Sequence, residues 1–329
     1  MENIAKCMTM PDEVNRGGAA PEPAHSHDNR AGGYLAFAAI CIIWGTTFAA
    51  IRVAIETIPT LFVGGVRFLS AGLLLLLVAK ARRARFPQSS REWRDQVIAG
   101  TLMAGVANSL VVWAEHQLSS GLAALLAATI PIWMVAMEAM LDRRSITVGK
   151  VAGLVLGFGG VGFLVAPAIG RIGLSAGFLL AVGAMQLNAI CWNGGTLLSR
   201  RHHGGADPVA VAVVQMFSGG IIVMLMAFAS GEPFTRQMFS FRSTVALFYL
   251  TVFGSVIAYT AYHYAQSKLS AGKVSSYAYV NPVIAVLTGA VLLHEAVTGR
   301  MIAAMAVILA GVLLIQIERR NAVARTARI

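Results

Sequence analysis

Ten apolar runs, most of them close to 20 residues long, divide this chain and restrict the folds open to it. A helix of about 20 residues spans the hydrocarbon core of a bilayer. Of the 329 residues, 57% are hydrophobic and 12% are charged, and the mean hydropathy is +0.70. The runs cover about residues 34–54, 60–79, 97–115, 122–141, 148–166, 174–198, 208–229, 245–266, 274–293 and 301–317. The sequence therefore predicts an all-α integral membrane protein with ten transmembrane helices.

Basic side chains are concentrated in alternate loops. The two tails and the even-numbered loops hold 20 lysines and arginines, against five in the odd-numbered loops. Since basic residues accumulate on the cytoplasmic side of a membrane, both termini are expected to face the cytoplasm. The same distribution accounts for the formal net charge of +11, so we expect no nucleic-acid partner.

The second half of the chain repeats the first. At an offset of 151 residues, positions 118–161 and 269–312 share 12 identities in 44. An offset of 148 aligns Trp44 with Trp192. Each half holds five helices, an odd number, so the second half must enter the membrane upside down. Two inverted five-helix repeats of this kind form a binding site at their interface, near the midplane of the bilayer.

The repeat divides the chain into four parts. Residues 1–33 are expected to form a disordered cytoplasmic tail, because they contain no apolar run. Helices 1 to 5 form the first repeat, over residues 34–166, and helices 6 to 10 form the second, over residues 174–317. Residues 318–329 form a basic cytoplasmic tail.

A proline lies at the same place in the fourth and ninth helices. Pro131 and Pro282 each follow a Leu-Ser-x-Gly turn by about a dozen residues. Proline removes a backbone donor and clashes with the preceding turn, so both helices are expected to break there. Interrupted helices at matching positions of two repeats indicate a transporter's binding site. We therefore predict that both prolines act as hinges.

Polar and aromatic side chains within the apolar runs fall on single helix faces. Tyr259 and His263 are one turn apart in the eighth helix, as are Tyr277 and Asn281 in the ninth. Polar groups are costly against lipid, so these faces are expected to line a cavity; the alternative is that they join helices by hydrogen bonds. The predicted substrate-binding residues are Trp44, Asn108, Trp192, Tyr259, His263, Tyr277 and Asn281.

Arg67 is the one basic residue deep in an apolar run, and Glu115 lies at a compatible depth in the third helix. A charge inside the membrane indicates function and calls for a partner. The two are predicted to form an outer gate or a structural ion pair, and Arg67 is also suited to bind a substrate carboxylate. Glu115 or His263 are the residues through which protons would drive transport, with uniport and exchange as alternatives.

No catalytic, metal or cofactor site is predicted. Cys41 and Cys191 lie inside apolar runs and Cys7 in the leading tail, so neither a disulfide framework nor a metal-ligand spacing is present. Walker A, Gly-x-Ser-x-Gly and His-Glu-x-x-His sequences are absent. The chain is therefore not expected to be an enzyme; an enzyme or sensor built on the same membrane scaffold is the alternative from another class.

Four segments of the sequence form a recognisable set: Ile43-Trp-Gly-Thr-Thr-Phe48, Val66-Arg-Phe68, Ala114-Glu-His-Gln117 and Ser276-Tyr-Ala-Tyr-Val-Asn-Pro282. They resemble the drug/metabolite transporter superfamily, specifically its EamA-type ten-helix permeases and a branch of inner-membrane transporters without assigned substrates. In that family the fourth helix usually ends in a glutamate, as Leu293-His-Glu295 ends the ninth. Here Arg144 stands at the matching position.

The resemblance implies a secondary transporter in the plasma (inner) membrane that exports small metabolites such as amino acids or related amphipathic compounds by alternating access. A nucleotide-sugar or phosphate-ester exchanger and a lipophilic-cation efflux carrier are the alternatives. The partners expected are a small-molecule substrate, the lipid bilayer and, as open options, protons and a second copy in a homodimer.

Overall fold

Every regular element in the described part of this computed structural model is a helix. The description covers residues 28–142, 148–170, 176–201, 205–233, 235–269, 274 and 276–326. In chain order the helices are α1 (Asp28–Ala54), α2 (Thr60–Ala81), α3 (Ser90–Ala114), α4 (Ser120–Ala127 and Ile130–Asp142), α5 (Val148–Gly170), α6 (Ala176–Arg201), α7 (Pro208–Ala229), α8 (Phe241–Lys268), α9 (Tyr277–Leu293) and α10 (Gly299–Thr326). A single 3₁₀ turn, Arg236–Met238, lies between α7 and α8.

Seven of these helices, α1 to α4 and α6 to α8, are long and apolar enough to cross a membrane. The other three contain shorter apolar helices, Val151–Leu164, Tyr277–Leu293 and Gly299–Leu314. Large apolar side chains point outward along the bundle, as Leu77, Leu225 and Phe248 do. Exposed apolar surface on this scale requires a nonpolar surrounding. The chain is therefore an all-helical, multi-pass membrane protein.

Several helices extend beyond the bounds expected from the sequence. Helix α1 begins at Asp28, inside the stretch expected to be a tail, and α10 continues to Thr326. Helix α3 begins at Ser90, well before its apolar run. Its start resembles a capping box: Ser89 Oγ accepts a hydrogen bond from the Glu92 amide (3.2 Å), and the Glu92 carboxylate accepts one from the amide of Gln88, the residue before the cap (2.9 Å).

The helices pack in pairs across the bundle. Helix α2 packs along α7, α5 along α10, and α4 against α9. Helix α1 lies on α8 and α9, while α6 lies on α3 and α4. Small residues allow some of these approaches: a Cβ atom at Gly311 of α10 would lie 2.7 Å from the backbone of Gly153 and Gly157 in α5. Such close contacts are how helices associate in lipid.

Helices α3 and α8 each contain a π-helical segment at mid-length, over Thr101–Ala107 and Leu250–Ile257. A π segment inserts an extra residue into the turn, and such segments are frequent at functional sites. Side chains of neighbouring helices bond to their carbonyl groups. Trp44 Nε1 donates to the Gly254 carbonyl (3.1 Å), and Asn188 Nδ2 donates to the Ala107 carbonyl (2.8 Å).

The two prolines have different effects on their helices. Helix α4 is interrupted at residues 128–129, and Pro131 lies in the first turn of its second segment, where the missing amide costs no hydrogen bond. Helix α9 continues through Pro282 without a break, contrary to the expectation of two broken helices. In a bundle, neighbouring helices compensate the backbone group that a proline leaves free.

Candidate functional site

A cavity of about 90 Å³ lies between α1, α2, α3, α4, α6, α8 and α9. That volume is enough for several water molecules. Its wall combines aromatic rings with amide side chains, and the alanine-rich first segment of α4 closes one side. Six of the seven predicted binding residues line it: Trp44, Asn108, Trp192, Tyr259, Tyr277 and Asn281.

Trp44 is the centre of an aromatic cluster at one end of the cavity. Its ring centroid lies 5.4 Å from that of Trp192, 5.1 Å from that of Tyr262 and 5.0 Å from that of Tyr277. The contacts with Trp192 and Tyr277 are edge to face, an arrangement that aromatic quadrupoles favour. These rings come from four helices, α1, α6, α8 and α9, so the cluster joins both halves of the chain.

His263, the seventh predicted residue, does not line the cavity. It lies one turn beyond Tyr259 on α8, is 1% exposed, and its ring centroid is 5.0 Å from that of Tyr259 and 5.7 Å from that of Tyr262. The aromatic cluster therefore separates it from the cavity.

Arg67 reaches the cavity as a buried guanidinium, 3% exposed. Its Nε donates to Ser255 Oγ (2.8 Å) in the π segment of α8, and its Nη1 lies 3.4 Å from Asn108 Oδ1. The guanidinium carbon is 4.9 Å from the centre of the Phe68 ring, within the range of a cation–π contact. Polar and aromatic contacts thus hold this charge at the wall of the cavity.

The structure does not bring Arg67 and Glu115 together. No salt bridge joins them within the described residues, where Arg67 bonds to Ser255 and Asn108 instead. Glu115 lies in the turn after α3, and its backbone carbonyl accepts a hydrogen bond from Arg52 of α1. The gate assigned to this pair remains a prediction.

Asn281 lines the cavity and also joins two helices. With its amide oriented to donate, Nδ2 bonds to the carbonyl oxygens of Cys41 in α1 and Tyr277 in α9, both at 3.1 Å. The asparagine therefore fixes α9 against α1.

Asn188 of α6 leaves one polar atom without a partner. Its Nδ2 donates to the Ala107 carbonyl, while Oδ1 is buried without a hydrogen-bond partner among the described residues. That oxygen is an acceptor available to a ligand.

Comparison with known proteins identifies the family. The model of the EamA-like transporter family matches residues 31–166 and 177–317. The chain belongs to this family. It is accordingly a membrane transporter.

Relatives from several organisms share the EamA-like sequence over most of this chain. The "Uncharacterized inner membrane transporter YedA" of Escherichia coli (strain K12) is 33% identical, covering 85% of this chain and 89% of its own length. The "Uncharacterized transporter YvbV" of Bacillus subtilis (strain 168) is 25% identical, covering 87% and 92%. A solved crystal structure with 20% identity covers 89% of this chain and 99% of its own, with a TM-score of 0.65. That likeness concerns the fold alone.

Several residues in or beside this EamA-like cavity were not among the predicted binding residues. Asn188 lines the cavity, and Tyr262 belongs to the aromatic cluster. They lie on the faces of α6 and α8 that carry Trp192 and Tyr259, so helical spacing was the available signal. Gln215 is buried in α7, where it accepts a hydrogen bond from the Tyr259 hydroxyl (2.7 Å) and donates to Gln96 of α3 (2.7 Å). A single glutamine in an apolar run carries no signal of this role.

Glu295, in the turn after α9, caps the first segment of α4. Its carboxylate accepts hydrogen bonds from the Ser120 amide (2.9 Å), the Ser120 hydroxyl (2.8 Å) and the Gly121 amide (3.2 Å). A carboxylate at a helix N-terminus is favoured by the free amides and by the helix dipole. Arg144, at the matching position after α4, lies outside the described residues, as do Ser270 to Lys273 before α9.

Proposed function

We propose that this protein is a secondary transporter that exports small metabolites, such as amino acids or related amphipathic compounds, across the inner membrane by alternating access. The observation that carries the proposal is the cavity at the junction of the two halves of the chain. Trp44 of α1 and Trp192 of α6 meet there at 5.4 Å. A polar and aromatic hollow between two halves is the form of a transporter's substrate site.

The helix pairings support two inverted repeats of five membrane-crossing helices, 34–166 and 174–317. If each helix is exchanged for the one five places along, the contacts of α1 with α8 and α9 become those of α6 with α3 and α4. The contacts α2–α7, α4–α9 and α5–α10 are unchanged by this exchange, because each joins a helix to its counterpart. The π segments of α3 and α8 are also exchanged. This two-fold relation is what alternating access by rocking halves requires.

The chemistry of the lining supports a substrate with a carboxylate and an amphipathic body. Arg67 is the one charged side chain among the described residues of the lining, and a guanidinium binds a carboxylate with paired hydrogen bonds. Asn188 Oδ1 offers an acceptor to an ammonium or amide group. The aromatic cluster offers surface for an apolar side chain.

The two alternative cargoes fit this lining less well. A nucleotide sugar or phosphate ester carries a double negative charge and would call for a second cation beside Arg67. A lipophilic cation would be repelled by Arg67 and would meet no carboxylate among the lining residues that the structure describes. The amphipathic, carboxylate-bearing class is therefore the one we put to the test.

The test is a toxicity challenge of bacteria that express the protein. Cells receive inhibitory levels of amino acids and their analogues, of phosphate esters, and of lipophilic cations, and growth is compared with that of cells expressing Arg67→Gln. Protection against the amino-acid class by the wild-type protein alone is the expected result. Protection against the cations, or equal protection by the variant, would contradict the assigned cargo.

A further inference from the structure

Glu115 is a buried carboxyl group that has no polar partner among the residues described by the structure. Its side chain is 0% exposed, and neither carboxyl oxygen has a hydrogen-bond partner within the described residues. The backbone around it is held: the Glu115 amide donates to the Val111 carbonyl (3.1 Å), and the Glu115 carbonyl accepts from Arg52. An ionised carboxylate without hydrogen bonds is costly to bury. The neutral acid is therefore the form that suits this geometry.

Three ionisable groups surround this carboxyl group. Arg52 approaches from α1, Glu295 from the turn after α9, and His116 is its neighbour in the chain. The Glu295 carboxylate is fully engaged by the start of α4, and its negative charge further disfavours a second anion nearby. The positive charge of Arg52 instead favours the ionised form of Glu115. The protonation of Glu115 therefore depends on how closely Arg52 approaches it.

His116 does not supply the positive charge that would balance an ionised Glu115. Its Nε2 lies 2.7 Å from the Thr60 hydroxyl. Partial burial and the charge of Arg52 lower the pKa of His116, and the charge of Glu232 opposes them. The net lowering leaves the imidazole neutral near pH 7. Arg52 is then the cation that balances the Glu115 carboxylate when its proton leaves.

We propose that Glu115 is a proton-binding site whose occupancy is linked to the position of α1 against α3. In the conformation described here the Glu115 carboxyl group holds a proton and Arg52 bonds to the Glu115 carbonyl. When the proton leaves, the Arg52 guanidinium moves to the carboxylate and compensates its charge. This inference rests on the proposed transport function and assigns one of its driving ions.

Water has a short route to this site. A recess of about 600 Å³ opens beside it, lined by Arg52, His116 and Glu295 among others. Arg52 is half-buried at the recess, while Glu115 lies sealed behind it. A shift of Arg52 would expose the carboxyl group to this recess, and the proton would pass to water there.

The same two residues stand on helices that form the substrate cavity. Arg52 lies about two turns beyond Trp44 on α1, and Glu115, in the turn that ends α3, lies about two turns beyond Asn108. A change in the contact between Arg52 and Glu115 therefore moves two cavity walls relative to each other. Proton binding and the shape of the cavity are linked by this geometry.

Proton binding is measured by infrared titration of the purified full-length protein in liposomes. The wild type is expected to show the carbonyl band of a protonated carboxylic acid at neutral pH, and Glu115→Gln to lack it. Glu92→Gln is the matched control, because Glu92 lies at the opposite end of α3 and bonds to Gln88 and Ser89 there. Arg52→Gln should move the titration midpoint about 1 pH unit higher, and Arg52→Lys should restore it. A band that survives Glu115→Gln, or a midpoint indifferent to Arg52, would overturn the assignment.

The link to the cavity is read from tryptophan fluorescence in a variant that retains only Trp44 and Trp192. The emission is expected to titrate at the same pH as the infrared band and to become independent of pH after Glu115→Gln. Titration of the band with constant emission would refute the link. Neither readout requires a substrate, so failure of the toxicity challenge would refute the proposed cargo while leaving the proton site to be judged on its own data.

Discussion

Trp44 and Trp192 meet edge to face, with ring centroids 5.4 Å apart and an interplanar angle of 87°. They occupy matching positions in the two halves of the sequence, and each comes from the helix that opens its half. Trp44 also bonds through Nε1 to the π segment of α8. The contact between the halves is thus made by a pair of related residues, with Tyr259 and Tyr277 packed around it.

Replacing Trp192 by Ala should lower export, because it removes the ring against which Trp44 packs. An edge-to-face pair contributes about 0.5–1.5 kcal/mol, so a loss of about threefold to tenfold in apparent affinity for the exported compound is expected. Trp192→Phe keeps an aromatic edge and should retain most of the activity. Concentration-dependent efflux from cells, at matched protein levels, makes the comparison; equal activity of the Ala and Phe variants would speak against the aromatic contact.

Tyr277→Phe tests whether a tyrosine hydroxyl in the cavity binds cargo. Loss of one hydrogen bond costs about 0.5–1.5 kcal/mol, so the apparent affinity is expected to fall about threefold to tenfold. Tyr279→Phe is the control, because the Tyr279 hydroxyl lies two residues away and donates to the Val312 carbonyl of α10 at 3.3 Å. If both variants lose the same activity, the hydroxyl of Tyr277 has no special role.

Asn281→Ala separates binding from helix joining. Asn281 holds α9 to α1 through the Cys41 carbonyl, so its removal should lower thermal stability in detergent as well as transport. Each lost hydrogen bond is expected to cost about 1 kcal/mol of unfolding free energy. A variant with unchanged stability and reduced affinity would assign Asn281 to the cargo alone, contrary to the contacts described here.

Arg67 should make the transporter selective for compounds that carry a carboxylate. Arg67→Gln removes the cation at the cavity wall and is expected to abolish export of carboxylate-bearing compounds. Arg67→Lys keeps the charge without the paired geometry and should restore it in part. Efflux of an amino acid and of its methyl ester, measured in parallel, distinguishes the two effects. Preserved export of the free acid by Arg67→Gln would show that Arg67 does not bind a carboxylate of the cargo.

Glu295 should stabilise the packing of α9 against α4, because its carboxylate bonds to the start of α4. Glu295→Gln weakens its hydrogen bonds to Ser120 and Gly121, and a double-mutant cycle with Ser120→Ala is expected to give a coupling of about 1 kcal/mol. The exposed Glu56, paired with Arg242, serves as the control, because a surface ion pair contributes less than about 1 kcal/mol. Strictly additive effects of Glu295→Gln and Ser120→Ala would exclude the cap.

Six of the cavity residues could be predicted from the sequence, because polar and aromatic side chains recur on helix faces and at positions that the proposed repeat aligns. Periodicity gives the face of a helix but not the depth at which a cavity ends. His263 shares the face of Tyr259, yet the aromatic cluster ends the cavity before reaching it.

Contacts between helices distant in the chain were harder to predict. Arg67 and Glu115 lie at compatible depths, but the side-chain directions of α2 and α3 depend on their rotation in the bundle. Arg67 therefore meets Ser255, and Glu115 meets Arg52. Pro282 was expected to break α9 on local grounds, whereas tertiary packing maintains the helix.

Counterflow through the purified protein shows whether it is a secondary transporter whose cargo binds at Arg67. Liposomes containing the wild-type protein are loaded with the amino-acid-class compound that the toxicity challenge identifies, and uptake of its labelled form is followed without any nucleotide present. A secondary transporter with this site should show counterflow as the wild type and none as Arg67→Gln. Absence of counterflow by correctly folded wild-type protein, or equal counterflow by the variant, would contradict it.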